Sequence, residues 1–324
     1  MNPLISICVP IYNVAPYLER CVHSLMQQTY QRLEYIFVDD CSTDNSISLL
    51  EEWLERYPER KQHAIIIRND CNHGLAYTRR ISIENAHGEY IVCVDSDDYI
   101  EHDMIQCLVT KAIETNADIV AAGYFYESKT TSQIFLPEPC DKETDLFRVT
   151  LTGMIHHICS KLFRRSLYIV GRCCYAPEGM DYLEDRMMLV LLGTKLQRVA
   201  TIDQPLYHYV YRNDSVSQRK SKKHFQCLIR FWEETDKLLD ELGLTEKFQQ
   251  YIGTAKIEDK AGLLMYCDNR TRKQYVNLYA KEEQTYTPKL TRGIALMYWF
   301  TKHHLWILTY CYQLYIRWIV QHNS

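Results

Sequence analysis

Apolar runs alternate with segments of helical spacing along the first hundred residues. Each run has the length of a buried strand, and each segment between runs repeats its apolar residues every three or four positions, which is typical of a helix packed on one face. The predicted strands are residues 4–9, 35–38, 64–67 and 90–94, and the predicted helices are residues 17–28, 47–54 and 75–86. This alternation predicts an α/β fold with a mainly parallel sheet.

Acidic residues directly follow two of the predicted strands. Asp39 and Asp40 follow the second, and Asp95, Asp97 and Asp98 follow the fourth. Open parallel sheets bind ligands outside the carboxyl ends of their strands, so the shared position indicates a binding site. Clustered carboxylates repel one another unless a cation lies among them, and a divalent ion with oxygen ligands is the usual partner. The simpler interpretation is a solvated turn in which an aspartate caps the next helix.

Length and composition limit the number of domains, the kinds of partner and the cellular compartment that are expected. Its 324 residues suffice for one large domain with an appendage or for two domains. The 37 basic and 41 acidic residues give a formal charge of -4, so no global basic field indicates a nucleic-acid partner. The 13 cysteines are scattered through apolar runs without a C-x-x-C pair, as expected of reduced core residues. No signal-peptide pattern opens the chain, and we expect it to be cytoplasmic.

Four segments in this order and spacing resemble the signatures of the family 2 inverting glycosyltransferases, which have the Rossmann-like GT-A fold. These segments are residues 6–13, 38–44, 72–79 and 95–98. A match of four segments is more specific than any single motif. The sequence departs from the family pattern at Cys41, where the family usually carries a glycine that tolerates a positive φ.

The resemblance implies a nucleotide-sugar donor, most simply a UDP-sugar. Asp40 would accept the N3–H of uracil and Asp39 would lie near the nucleoside, whereas the alternative for both is an Asx-type turn. Arg79 would reach the diphosphate, although an arginine on a helix is more often solvated. Asp97 would bind Mg²⁺ or Mn²⁺. The other donor-binding residues that the resemblance implies are Pro10, Tyr12, Asp95 and Ser96.

Two later segments resemble further parts of the same family. Residues 178–186 resemble its E-D motif, which implies that Asp185 is the catalytic base and that Glu184 binds the acceptor or tunes the pKa of its neighbour. Alternatively, the pair stabilises a helix N-terminus. Residues 207–217 resemble a loop that closes the domain, where His208 would touch the diphosphate or the metal, although such a histidine is more often structural.

After Gln218 the sequence pattern is helical and no strand pattern returns. The predicted domains are therefore a GT-A domain at residues 1–218 and a helical region at residues 219–324. No acidic residue follows Glu283, and residues 289–324 carry basic and aromatic side chains. This composition suits a helix lying on the inner face of the cell membrane. Packing within the protein, or a homodimer contact, is the alternative. No stretch reaches 18 uncharged apolar residues, the length needed for a membrane span.

Two functions from different classes remain open at this stage. The first is a metal-dependent inverting hexosyl- or N-acetylhexosaminyltransferase that moves a sugar from a nucleotide donor to a hydroxyl of a growing surface glycan or lipid-linked oligosaccharide. The second is a non-catalytic protein of the same fold that binds a nucleotide-sugar or glycan. The joint presence of Asp40, Asp97 and Asp185 favours the enzyme, because a binding protein has no need of a base.

Overall fold

The computed structural model describes residues 2–128, 131–139, 146–151, 157–171, 174–211 and 221–323. The chain divides into two compact units, Met1–Tyr211 and Arg212–Ser324. The predicted boundary at Gln218 and most of the predicted closing loop fall in residues 212–220, outside the described residues.

Within the described residues, the first unit forms a nine-stranded sheet. Its order is β3-β2-β1-β4-β8-β6-β9-β5, with β7 paired to β6. Strands β1 to β4 pair in parallel, β8 is antiparallel to both of its neighbours, and β9 is parallel to β6. The strands are β1 (Ile5–Ile11), β2 (Leu33–Asp39), β3 (Ala64–Arg68), β4 (Tyr90–Cys93), β5 (Tyr99–Ile100), β6 (Ile119–Glu127), β7 (Ser132–Phe135), β8 (Lys161–Arg164) and β9 (Val199–Val210).

The helices of the first unit connect these strands. They are α1 (Ala15–Met26), α2 (Ser46–Glu55), α3 (Pro58–Lys61), α4 (Leu75–Glu84), α5 (Met104–Thr115), α6 (Leu146–Leu151), α7 (Ser166–Ile169) and α8 (Glu184–Gly193). The four strands and three helices predicted from the hydrophobic pattern are confirmed. The pattern was informative because β1 is buried along its whole length, while α1 buries the one apolar face formed by Leu18, Cys21, Val22 and Leu25.

The register of the parallel strands gathers the acidic segments at one edge of the sheet. Cys8 pairs with Cys93 across β1 and β4, and Ile11 pairs with Asp39 across β1 and β2. The chain therefore leaves β1, β2 and β4 at neighbouring points. This is the edge at which ligands of such sheets bind.

The second unit is helical, as predicted. Its helices are α9 (Lys222–Glu241), α10 (Thr245–Tyr266), α11 (Asn269–Tyr275), α12 (Ala280–Thr285), α13 (Arg292–Lys302) and α14 (Trp306–Asn323). Two cations are fully buried in this unit: Lys260 donates to Val276 O at 3.2 Å and pairs with Glu283, and the Arg272 Nε donates to Leu264 O at 3.0 Å. Across the described part of the chain, every helix is too short or too polar to cross a membrane.

Candidate active site

The turn after β2 is fixed by side-chain to backbone hydrogen bonds. The Asp39 Oδ1 accepts from the Ser42 amide at 3.0 Å, which is the Asx-type turn that the sequence left open. Between these residues Cys41 adopts a φ of 62°, a left-handed conformation that a glycine would adopt without steric cost. The Asn13 Oδ1 accepts from the Thr43 amide at 2.8 Å, so the loops after β1 and β2 are joined.

Asp40 is buried and organises the loop between β3 and α4. Its Oδ1 accepts from the His73 amide at 2.9 Å and from the Asn69 side chain at 2.8 Å, and its Oδ2 accepts from the Gly74 amide at 2.8 Å. An ionised carboxylate offers about four acceptor positions, so three bonds leave about one for the N–H of a base.

Gly74 is the residue at which this loop enters α4, and its backbone conformation favours glycine. Its φ is 88°, and a Cβ at this position would lie 2.2 Å from the Asp181 Oδ1. The glycine therefore permits both the turn and the close approach of the segment before α8.

The other residues predicted for donor binding lie on the same edge. Pro10 is buried within β1, while Tyr12 just beyond the strand has 47% of its surface exposed. Ser96 is buried in the turn that follows β4. The exposed Tyr12 ring is thus the one of the three that a nucleoside could contact without rearrangement of the sheet.

Arg79 is the centre of the site. It is buried, its Nη2 donates to the Asp95 Oδ1 at 2.7 Å, and its Nη1 donates to the Glu184 Oε1 at 2.8 Å. Burial opposes its charge, but these two carboxylates outweigh burial and raise the pKa of Arg79. The solvated alternative is wrong because Arg79 is buried, while the predicted diphosphate contact stays a prediction. The guanidinium joins the turn after β4 to the start of α8.

The turn after β4 is anchored by the Asp98 carboxylate, which the sequence indicated only as a member of the acidic cluster or as a helix cap. The Asp98 Oδ2 accepts from the Tyr207 hydroxyl at 2.6 Å, and its Oδ1 accepts from the Val210 amide at 2.8 Å. Burial, together with the charges of Asp97 and Asp95, raises the pKa of Asp98. The helix-capping interpretation is wrong, because the turn leads into β5 and the next helix begins at Met104.

The acidic turn can supply part of the ligand set of a divalent ion, and substrate phosphates can supply the rest. Asp95 is engaged through Oδ1 by Arg79, and its Oδ2 accepts from the Cys159 thiol at 3.3 Å. Asp98 is engaged as described, and Asp97 is half-buried in the same turn. Mg²⁺ and Mn²⁺ are commonly held by one or two carboxylates together with substrate phosphates. Asp97 is the carboxylate of this turn to which the family resemblance assigns that role.

His208 occupies a structural position. Its Nδ1 lies 2.9 Å from the Glu127 Oε1 and its Nε2 lies 2.9 Å from the Glu101 Oε1. Its ring is stacked between Tyr99 and Phe125, with centroids 4.0 and 4.5 Å away. Both ring nitrogens are engaged, so the predicted contact with metal or diphosphate would require one of these pairs to open.

The E-D motif opens α8. Leu183 precedes the helix with a φ of 68°, and the Asp185 Oδ1 accepts from the adjacent Arg186 amide at 2.7 Å. Burial and the charge of Asp185 raise the pKa of Glu184 to about 8. Burial also raises the pKa of Asp185, while Arg79 opposes the rise in both. The pair thus lies at a helix N-terminus and is shifted toward the range that suits a general base.

A buried lysine that the sequence did not single out lies beside this pair. Lys161, the first residue of β8, donates to the Cys159 carbonyl at 3.0 Å. Burial lowers its pKa to about 8, and the charge of Asp185 opposes that change. The available signal was a single basic residue within the apolar residues 158–163.

Comparison with known proteins identifies sequence relatives. The family model described as glycosyl transferase family 2 matches residues 6–171. The putative glycosyltransferase EpsH of Bacillus subtilis is 30% identical over 261 residues, which cover 78% of this chain and 74% of that relative.

Solved structures share the fold. The chain is similar to Staphylococcus aureus TarS in complex with UDP-GlcNAc, with a TM-score of 0.61 and 18% identity over 93% of this chain and 90% of that one. It is also similar to the mannosyltransferase PcManGT of Pyrobaculum calidifontis in complex with GDP-Man and Mn²⁺, with a TM-score of 0.56 and 17% identity over 97% and 86% of the two chains.

Proposed function

The chain belongs to glycosyl transferase family 2 and is a glycosyltransferase of GT-A fold, and on this premise we propose its reaction. We propose a metal-dependent, inverting transfer of a hexosyl or N-acetylhexosaminyl group from a UDP-sugar to a hydroxyl of a growing glycan or lipid-linked oligosaccharide. A non-catalytic binding protein, the second function left open by the sequence, does not agree with this family membership.

The bridge through Arg79 is the observation that carries the proposal. The Arg79 guanidinium binds both Asp95 and Glu184. Asp95 lies two residues before Asp97, and Glu184 is the neighbour of Asp185. The segment proposed to bind the donor and the segment proposed to activate the acceptor are therefore parts of one site. A protein that only bound a nucleotide-sugar would not need the further carboxylates of Glu184 and Asp185 in that position.

Inversion follows from the roles proposed for these residues. Asp185 accepts the proton of the acceptor hydroxyl as its oxygen attacks the anomeric carbon, on the face opposite the departing diphosphate. Burial raises the pKa of this base, and the charge of Arg79 opposes the rise. A divalent ion bound at Asp97 would offset the charge on the leaving diphosphate.

The choice of UDP rests on two separate supports. TarS, which has the same fold, is named as a complex with UDP-GlcNAc. In this chain, Asp40 retains about one acceptor position at the donor edge, which suits the N3–H of uracil. A screen of nucleotide-sugars tests the choice by measuring the nucleotide released through slow transfer to water. Release from GDP- or CMP-sugars, with none from any UDP-sugar, would contradict it.

Donor binding is expected to require Mg²⁺ or Mn²⁺, and Asp97→Asn is expected to weaken it, because the diphosphate then lacks part of its counter-charge. Calorimetry with UDP, with each metal and with EDTA, measures this directly. Asp203→Asn, at an exposed position on β9, is the matched control and should bind like the wild type. Equal UDP affinity in EDTA and in Mn²⁺ would exclude metal dependence.

For the second unit we propose that α13 and α14 lie on an anionic membrane surface, near a lipid-linked acceptor. The polar residues Thr309 and Gln313 face inward, and the Gln313 Nε2 donates to the Cys267 carbonyl at 3.0 Å. An apolar and aromatic face is left exposed, formed by Leu296, Trp299, Leu305, Ile307, Leu308, Tyr310, Leu314 and Tyr315. Such a face beside basic residues suits the interfacial region of a bilayer.

Sedimentation with vesicles of anionic phospholipid is expected to pellet the full chain at low salt and to release it at high salt. Ile307 is 79% exposed, so Ile307→Glu should reduce binding severalfold without unfolding the unit. Ile113→Glu, at an exposed apolar position on α5, is the control. A wild-type chain that stays in the supernatant would show that this face packs elsewhere, and dimerisation that Ile307→Glu abolishes would identify a homodimer contact.

A further inference from the structure

A second group of metal-ligating side chains lies on the loop between β3 and α4. Asp70, Cys71 and His73 each offer one ligand atom, and these atoms all lie within 4.8 Å of one another. The His73 Nε2 is 3.3 Å from the Cys71 Sγ and 2.7 Å from the Asp70 Oδ1. In the described part of the chain, no other set of three such residues meets this spacing.

The two distances from the His73 Nε2 lie near those expected around a tetrahedral ion. Bonds of 2.0 to 2.3 Å to nitrogen, oxygen and sulfur place tetrahedral ligand atoms about 3.3 to 3.8 Å apart. The nitrogen-to-sulfur distance is already in this range, and the nitrogen-to-oxygen distance would have to widen by roughly half an ångström. The loop is on the surface, so a water molecule can supply the fourth ligand.

The loop is held in place on both sides of the group. The ring of His73 is stacked on Tyr77 with the centroids 4.3 Å apart, which fixes the direction of its Nε2. The amides of His73 and Gly74 donate to Asp40, which fixes the backbone. Rigid support of this kind is what allows three adjacent surface residues to act as one site.

We propose that Asp70, Cys71 and His73 bind a Zn²⁺-type cation, which clamps the loop between β3 and α4 against Asp40. A thiolate and an imidazole select a softer ion than the Mg²⁺ or Mn²⁺ proposed at Asp97. On binding, the thiol of Cys71 loses its proton to solvent and the sulfur becomes the ligand, so each ion bound releases about one proton. The site is separate from the donor metal site and would exist whichever nucleotide-sugar is the donor.

Titration of the full chain with Co²⁺, in the absence of nucleotide, tests the proposal through the near-ultraviolet thiolate-to-cobalt absorption band, which Zn²⁺ should abolish by displacement. Cys71→Ser should abolish the band, and His73→Gln should weaken affinity at least about tenfold. Neither change is expected to unfold the protein, because the loop lies at the surface. Cys311→Ser, at an exposed thiol of α14, is the control and should leave the band unchanged.

Two further measurements separate this site from the donor metal site. Asp97→Asn should retain the cobalt band, even where it weakens UDP binding. Zn²⁺ should slow amide hydrogen exchange in residues 69–74 of the wild type but not of Cys71→Ser. Absence of the band in the wild type, its survival in Cys71→Ser, or its loss in Cys311→Ser would overturn the proposal.

Discussion

Asp185→Asn is expected to abolish sugar transfer while leaving the affinity for the UDP-sugar nearly unchanged. An asparagine has the size of the aspartate but cannot accept the proton of the acceptor hydroxyl, and the base has little contact with the donor in the ground state. The expected loss in kcat is on the order of a hundredfold or more. The loss in kcat is expected because Asp185, and not Glu184, is proposed as the base.

Steady-state kinetics and calorimetry on the same preparation separate the two effects. Asp203→Asn makes the same chemical change at an exposed position and should retain full activity. Glu184→Gln removes the carboxylate that binds Arg79 and should lower activity while leaving a base in place. Normal turnover in a folded Asp185→Asn protein would assign the base to Glu184, whose pKa of about 8 is also suited to proton transfer near neutral pH.

The parallel half of the sheet could be predicted because its signals are local. Each strand from β1 to β4 is a short apolar run, and each connecting helix carries its own periodicity. The antiparallel half was not predicted. In it, β8 lies between β4 and β6, so a strand late in the chain joins two early ones, and the pattern of a short strand does not encode its partner.

In the candidate site, too, local features could be predicted from the sequence and long-range contacts could not. The acidic turn after β4 and the E-D motif were identified from their residues, but Arg79 and Glu184 are 105 positions apart, and no local pattern indicates that they are paired. The anchoring role of Asp98 was missed for the same reason, since its partner Tyr207 lies on β9, 109 positions away. Sequence therefore located the charged groups, whereas the contacts that set their roles required the fold.

Replacing Arg79 is expected to have the largest effect on stability. Arg79→Met leaves the buried carboxylate of Glu184 and the half-buried carboxylate of Asp95 without their shared cation, which should lower the free energy of unfolding by about 3 to 5 kcal/mol. Arg80→Met is the matched control on the same helix. Arg80 is more exposed and pairs with Glu178, so its loss should cost under about 1 kcal/mol. Urea denaturation of both variants measures the difference.

Arg79→Lys tests the same role in a protein that keeps the charge and is more certain to fold. An ammonium cannot reproduce two bonds from the two ends of a planar guanidinium, so we expect kcat to fall on the order of a hundredfold with donor affinity largely retained. The pH profile distinguishes this from a general loss of structure. Arg79 lowers the pKa of Glu184 and Asp185, so weakening its contact raises both values.

The raised pKa leaves the base protonated at pH values where it is ionised in the wild type, so the acidic limb of the kcat profile should move to higher pH in Arg79→Lys and further in any Arg79→Met protein that folds. An unshifted acidic limb, with kcat lowered equally at every pH, would mean that Arg79 does not act through the carboxylate pair. A selective rise in KM for the UDP-sugar at constant kcat would instead return Arg79 to the diphosphate contact that the family resemblance implied.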